Sequence, residues 1–190
     1  MCKKIILTLL TAMLSFGCGN YEDFSYKYLS DTEKNTFEFA SGVGAWSTTM
    51  TINPDGSFNG EYSDTDMGVS NEEYPSGTCY YCKFSGQLGD LEKVDDLTYK
   101  AKLMDLSWEN EVDTEEIIDG TRFVYTTPYG IGEGGDIYFY LPGTEVETLS
   151  DEALRWLNYR LVLGGYDEEP LTKLPCCVLY ESGTEYTWNN

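Results

Sequence analysis

The stretch WSTTMTINPDGSFNGEY, residues 46–62, decides the fold, because its side chains alternate between apolar and polar on both sides of a turn motif. Successive side chains of an extended chain point to opposite faces, so one face of the first half carries Trp46, Thr48, Met50 and Ile52. In residues 53–56, Pro presets the second turn position and Gly accepts a positive φ. The alternation resumes at Phe58, so residues 46–63 are predicted to form a β-hairpin.

The same two-residue period recurs along the chain. It predicts further strands near residues 37–39, 78–85, 97–106, 121–126, 136–141 and 177–180. One segment departs from it: Ser150 is a good helix N-cap, and Asp151 and Glu152 suit the positive end of a helix dipole. We expect this short late helix to cover one opening or face of the sheet. The pattern predicts an all-β domain of seven or eight strands, an antiparallel β-barrel or sandwich.

A short motif adds a resemblance to this prediction. Gly44, Ala45 and Trp46 form a G-x-W at the start of the first long strand, and an antiparallel meander and a helix follow before the last strand. This order resembles that of lipocalins and the wider calycin group, which implies a calycin-like barrel. The later motifs of the group, a Thr-Asp-Tyr loop and a basic residue on the last strand, have no counterpart here. The resemblance therefore extends to the fold alone.

The first residues have the order of a secretory signal peptide. Lys3 and Lys4 precede an apolar run over residues 5–16, and small residues follow it. The run is shorter than the roughly 20 residues that a membrane-spanning helix needs. We expect residues 1–17 to be cleaved, residues 18–35 to form a tether, and residues 36–190 to form a single β-rich domain.

Residues 14–18 resemble the lipobox of bacterial prolipoproteins, with Gly17 before Cys18. Ser15 departs from the family, which usually has an apolar residue there. The resemblance implies that Cys18 becomes the first residue of the mature chain and carries fatty acids such as palmitate. It also implies a place at the cell membrane, on its extracytoplasmic face. The alternative is an ordinary cleaved signal peptide, which the small residues Ser15 and Gly17 also permit.

Charge and composition narrow the classes of function. The chain has 33 acidic and 12 basic residues, a net charge of -21, and its acids are scattered instead of forming one run. Such a chain repels phosphate backbones, so we expect no nucleic-acid partner. It has no His, which excludes Ser-His-Asp and Cys-His nucleophiles and His-ligated metals. No catalytic constellation or cofactor motif stands out, so the sequence predicts a protein that is not an enzyme and needs no cofactor.

Beyond Cys2 and Cys18, four cysteines lie in two pairs. Cys79 and Cys82 form a C-x-x-C in a predicted strand, and Cys176 and Cys177 are adjacent. The members of each pair point to opposite faces of a strand, so four sulfurs converging on one metal would require a break in the strands. The alternatives are a disulfide between the two segments, if their strands are neighbours, buried free thiols, and a metal or redox role.

Two further patterns have simpler interpretations. Gly130, Gly132 and Gly135 spell G-x-G-x-x-G, but a strand follows them where a dinucleotide site has a helix, so a flexible hairpin loop is predicted. The acids Glu61, Asp64, Asp66, Glu72 and Glu73 lie between strands without the spacing of a calcium loop, so a solvated surface is predicted. Asp64 and Asp66 are no better placed for glycoside hydrolysis than other acid pairs.

The 16 Tyr and 4 Trp residues indicate contact surfaces. Tyr138 and Tyr140 alternate with the apolar residues of their strand, which makes them candidate ligand contacts, although cross-strand aromatic pairs that stabilise the sheet would give the same pattern. The sequence predicts a lipid-anchored, extracytoplasmic, non-catalytic binding or interaction module, whose ligand is a small molecule, a glycan or an envelope protein. The alternatives are a carboxylate-based enzyme acting on envelope polymers and a structural part of a surface assembly.

Overall fold

The computed structural model describes residues 24–41, 45–157 and 170–190, and eight of its strands close into an antiparallel barrel. The strands are β1 (Thr36–Ala40), β2 (Trp46–Ile52), β3 (Ser57–Asp66), β4 (Thr78–Leu88), β5 (Glu92–Lys93), β6 (Thr98–Trp108), β7 (Glu115–Ile118), β8 (Thr121–Tyr125), β9 (Asp136–Tyr140), β10 (Val178–Glu181) and β11 (Tyr186–Asn189). Two short helices, α1 (Tyr26–Asp31) and α2 (Asp151–Trp156), and one 3-10 turn (Val146–Thr148) accompany them. Of the two predicted all-β architectures, the barrel is confirmed.

The barrel strands follow one another in chain order. They run β1-β2-β3-β4-β6-β9-β10-β11, and the pairing of Glu38 with Asn189 brings β11 back to β1. The predicted hairpin is β2–β3, in which Ile52 pairs with Phe58. Gly56 has a φ of 79° in the turn, a conformation that glycine adopts without a steric cost.

Strand β4 pairs with β3 along one side and with two different strands along the other. Its residues from Phe84 to Leu88 pair antiparallel with β6 and close the barrel, whereas those from Thr78 to Tyr81 pair in parallel with β8. The hairpin β7–β8 therefore projects from the barrel as an extension of the sheet, which we call the wing (residues 115–125). Asp119 and Gly120 join its two strands, and both have a positive φ, as a tight hairpin turn of two residues requires.

The protein's own side chains fill the barrel interior. The largest fully buried residues include Phe37, Phe39, Phe58, Phe139 and Trp188, each at most 2% exposed. They form one cluster with Met50 and Ile52, the inward residues that the alternation in β2 predicts. Each such side chain contributes roughly 1.5–3 kcal/mol when it leaves water, so the aromatic interior is the main source of stability.

Helix α1 and the residue pair before it pack against one end of the barrel. Ser25 caps the helix by accepting a hydrogen bond from the Tyr28 amide at 3.2 Å, which satisfies one of the free N–H groups of the first turn. Phe24, Tyr26 and Leu29 are buried and belong to the barrel core. This segment falls within the expected tether of residues 18–35, and its described part is thus packed on the domain.

Helix α2 lies on the outside of the barrel. The Ser150 hydroxyl accepts a hydrogen bond from the Ala153 amide at 3.1 Å, as the N-cap prediction requires. Leu149, Ala153 and Val178 form a second, smaller apolar cluster beneath the helix. The predicted helix therefore exists and covers a face of the sheet. None of the helices in the described part of the chain has the length and apolar character needed to cross a membrane.

Candidate binding surface

A groove of about 850 Å³ opens beside the N-terminal end of α1. Its walls come from α1, the β2–β3 turn, the end of β4, the following loop and the first half of β6. Its apolar lining consists mainly of Phe24, Leu88, Leu91 and Met104. The volume lies within the roughly 300–1,000 Å³ that is usual for small-ligand sites.

Charges of both signs line the groove. Three lysines, Lys27, Lys100 and Lys102, face four acids, Asp55, Asp90, Glu92 and Asp136. The Nζ atom of Lys100 lies 3.4 Å from a carboxylate oxygen of Glu92. The Tyr26 hydroxyl donates to the Gly89 carbonyl at 2.7 Å, and burial raises the pKa of Tyr26 well above its usual value. The groove thus offers many hydrogen-bonding groups and no dominant charge of one sign.

Three tyrosines form a strip on the outer face of β9 and β10. The rings of Tyr138 and Tyr140 are stacked, with centroids 6.3 Å apart and an angle of 14° between their planes. Tyr180, on β10, lies opposite Tyr138 with a centroid distance of 6.2 Å. All three are partly exposed. We call Tyr138, Tyr140 and Tyr180 the tyrosine strip.

The groove and the tyrosine strip adjoin each other. Lys100, which lines the groove, is the cross-strand partner of Tyr138, and Lys102 is the partner of Asp136. Directly opposed residues on neighbouring strands share a face, with Cβ atoms about 5 Å apart. A ligand in the groove that extends past Lys100 would therefore reach the tyrosine rings.

Two of these hydroxyls, those of Tyr140 and Tyr180, have a raised pKa and stay neutral at ordinary pH. Burial, and then the neighbouring Tyr138 and Tyr180, raise the pKa of Tyr140 to about 12. Burial is also the main cause that raises the pKa of Tyr180. Each hydroxyl can therefore donate as well as accept a hydrogen bond, beside a ring face that stacks on flat or weakly polar groups.

The cysteines lie apart from this surface. Cys79, Cys82, Cys176 and Cys177 are free thiols in the structure, and Cys82 and Cys177 belong to the barrel core. Strands β6 and β9 lie between β4 and β10. The two cysteine segments are therefore not on neighbouring strands, which was the condition for the predicted cross-link. Burial raises the pKa of all four thiols, that of Cys82 to about 11. Such thiols are poor nucleophiles at neutral pH.

The glycine motif has a packing role. Its loop joins β8 to β9, which do not pair, so the prediction of a hairpin loop is wrong: β8 pairs with β4 and β7 instead. The Trp188 indole donates to the Gly130 carbonyl at 3.1 Å. A Cβ atom at Gly135 would overlap the buried carboxylate of Glu181. Glycine is needed at position 135 because the backbone of the loop and the side chain of Glu181 approach so closely.

The remaining predicted residues give no site within the described part of the chain. Glu61, Asp64 and Asp66 lie on β3, and Glu72 and Glu73 lie in the exposed loop after it. Across residues 24–41, 45–157 and 170–190, no three His, Cys, Asp or Glu residues are grouped so that they could hold a metal ion. Cys18 and Gly44, which carry the two sequence resemblances, lie outside these ranges.

Sequence reasoning missed most of the groove and one member of the tyrosine strip. Tyr180 follows the buried Leu179, and that alternation is a signal that indicates an outward side chain. The groove has no comparable signal, because its lining comes from segments more than a hundred residues apart.

Comparisons of this chain with protein-family models, curated proteins and solved structures find no match. The candidate function is therefore argued from the geometry.

Proposed function

We propose that this protein is a non-catalytic binding module, held by a lipid on Cys18 at the extracytoplasmic face of a cell membrane, and that its ligand is a glycan. The observation that carries the proposal is the groove of about 850 Å³ that continues at Lys100 into the tyrosine strip. A barrel interior filled by its own aromatic side chains favours a site on the outside of the barrel.

The chemistry of this surface fits a sugar chain better than a charged or wholly apolar ligand. Sugar rings present one weakly polar face, which stacks on aromatic rings, and a rim of hydroxyl groups. Tyr138 and Tyr180 offer such rings, and the lysines and carboxylates of the groove can donate to and accept from hydroxyl groups. A strongly anionic ligand would be repelled by the net charge of -21 of the chain, which the mixed charges of the groove do not offset.

The position of α1 supports a close attachment to the membrane. Phe24 is 7% exposed, and its ring centroid lies 4.8 Å from that of Tyr99, so the chain is held on the barrel from this residue onward. Five residues, 19–23, separate Phe24 from Cys18. A fully extended chain of that length reaches about 20 Å. A lipid on Cys18 would therefore hold the α1 end of the barrel, and with it the groove, close to the bilayer surface.

The binding claim is tested with the full chain in detergent and a panel of soluble envelope-type oligosaccharides, including peptidoglycan fragments, by calorimetry. Tyr138→Ser and Tyr180→Ser are expected to weaken binding about fivefold each, because each loses a stacking interaction of roughly 1 kcal/mol. Tyr80→Ser, a partly exposed tyrosine on β4 away from the tyrosine strip, is the matched control and should bind normally. Equal binding by all four proteins, or none by any, overturns the proposal.

Two further measurements separate the other parts of the proposal. Mass spectrometry of the amino-terminal peptide should show a fatty-acylated Cys18, and Cys18→Ser should release the protein from membranes. An unmodified amino terminus would remove the anchor and leave the binding claim standing. Turnover of any saccharide in the panel, abolished by a single carboxylate substitution in the groove, would show that the protein is a carboxylate-based enzyme and not a binding module.

A further inference from the structure

Among the described strands, β7 is an outer edge of the sheet. In the described part of the chain it pairs with β8 alone. The other outer strand, β5, is two residues long and consists of Glu92 and Lys93, a short charged edge of the kind that discourages pairing. β7 is twice as long and ends in Ile117 and Ile118. Of the two edges, β7 is thus the one equipped to receive another strand.

The hydrogen bonds of the wing show which backbone groups of β7 are free. The Arg122 amide donates to the Gly77 carbonyl at 3.0 Å, toward β4 and away from its partner Ile117. The Tyr125 amide donates to the Thr114 carbonyl at 2.9 Å, on the β7 side. Because hydrogen-bonded and non-hydrogen-bonded pairs alternate in an antiparallel ladder, the N–H and C=O groups of Glu115 and Ile117 point outward.

The side chains of β7 are also uncovered. Ile117 and Ile118 are 41% and 45% exposed, although adjacent residues of a strand point to opposite faces. Neither face of the strand is therefore buried by the rest of the described chain. A free strand edge with exposed apolar side chains is the feature that strand-adding partners recognise.

Charge decides which partner fits. Residues 109–119 contain six acids and no basic residue. One of them, Glu115, lies 3.7 Å from Arg122, and another, Glu116, accepts a hydrogen bond from the Tyr125 hydroxyl. A second copy of this chain would bring the same acids against them, and like charges on opposed strands are destabilising. An extended segment that carries Lys or Arg has the complementary charge.

We propose that the β7 edge binds an extended, Lys- or Arg-bearing segment of a partner protein as an additional strand. The outward amide and carbonyl groups of Glu115 and Ile117 would form the ladder, the two isoleucines would pack on apolar side chains of the segment, and the acids of residues 109–119 would attract its basic side chains. This interaction uses a surface separate from the groove and the tyrosine strip, and it does not depend on glycan binding.

The test uses the full chain in detergent and a short peptide with Lys at alternate positions and Val or Thr between them. Titration is followed by fluorescence anisotropy of the labelled peptide and by hydrogen exchange of the protein. Peptide binding is expected to slow exchange at the Ile117 amide. The same peptide with N-methyl groups on alternate residues keeps its charge but cannot form the ladder, so it should lose binding beyond detection. Equal binding of both peptides would show that charge attraction alone accounts for the interaction, without a strand ladder, and would overturn the proposal.

Protein variants give an independent result. Ile117→Pro removes an outward N–H group and no bond to β8, a position where an edge strand tolerates proline, and it should weaken peptide binding about tenfold. Ile117→Thr keeps that group and is the matched control. Glu111→Lys, at an exposed position, should weaken binding and reduce its salt dependence. Self-association of the protein through β7 in place of peptide binding, or no binding at all, would also overturn the proposal.

Discussion

The ring of Phe84 occupies the space that a side chain at Gly60, its cross-strand partner, would need. The next inward pair of β3 and β4 has the reverse arrangement, with the ring of Phe58 against Gly86. The two rings lie 6.4 Å apart at 63°, an edge-to-face contact. Two glycines thus make room for two aromatic rings in a narrow barrel.

Gly60→Ala is therefore expected to lower the free energy of unfolding by about 1–3 kcal/mol, because the added methyl group overlaps the Phe84 ring in a packed core. The measurement is urea unfolding followed by far-UV circular dichroism. Gly89→Ala is the control, since its nearest contact would be at 3.4 Å, an ordinary distance, and the change should stay within about 0.5 kcal/mol. Equal effects of the two substitutions would show that the Phe84–Gly60 contact is relaxed in solution.

Glu181→Gln is expected to destabilise the protein by about 1–3 kcal/mol. Glu181 is 1% exposed, and its carboxylate accepts hydrogen bonds from the amides of Gly183 and Thr184, both at 2.7 Å, and from the Thr184 hydroxyl. Glutamine has the same shape, but its side-chain NH2 group would face the N–H and O–H groups that donate to the carboxylate. Thermal unfolding checks the prediction, with the exposed Glu185→Gln as the control. A melting temperature lowered equally by both would contradict it.

Alkylation at neutral pH is expected to modify Cys176 first. The pKa of all four thiols in the folded domain is raised, but Cys176 is half-buried whereas Cys79, Cys82 and Cys177 are buried, so exposure decides the order. Mass spectrometry after timed treatment with iodoacetamide gives the order of modification. Unfolding in urea without a reductant should make all four available. A count of two or fewer would show that a disulfide forms in the protein.

Stability is expected to fall as the pH rises above about 9. Cys82 has a pKa raised from 9.0 to about 11, and Tyr140 and Tyr62 have theirs raised from 10.0 to about 12, in each case mainly by burial. The unfolded chain releases these protons at lower pH than the folded chain does. The stabilisation is thus complete below the unfolded values and is lost as the pH rises through the folded ones.

Urea midpoints measured between neutral pH and pH of about 11 test this dependence. Tyr140→Phe removes one of the titrating groups and should make the fall shallower, because the phenyl ring keeps the packing without the proton. A midpoint that stays constant with pH, or a variant with the same slope as the parent chain, would contradict the assignment to these buried groups.

The local sequence was sufficient for eight of the eleven described strands, whereas β5, β7 and β11 were not predicted. The alternation at Trp46–Ile52 identified the residues that β2 turns inward, and Ser150 marked the start of α2. The absence of His excluded whole classes of catalytic site before any fold was known. The signal-peptide pattern and Cys18 led to a proposed location at the cell membrane, which the described residues do not test. These inferences are local, because the period of a strand and the cap of a helix depend on residues close together in the chain.

Only the tertiary structure decided how the strands are joined. Alternation shows which face of β4 is buried, but it does not show that Thr78–Tyr81 pairs with β8 while Phe84 to Leu88 closes the barrel with β6. Strand neighbours are chosen by long-range packing, sheet twist and the cost of closing loops, which depend on the whole chain at once. The groove beside α1, the cross-strand pairing of Lys100 with Tyr138, and the free edge of β7 all follow from those choices.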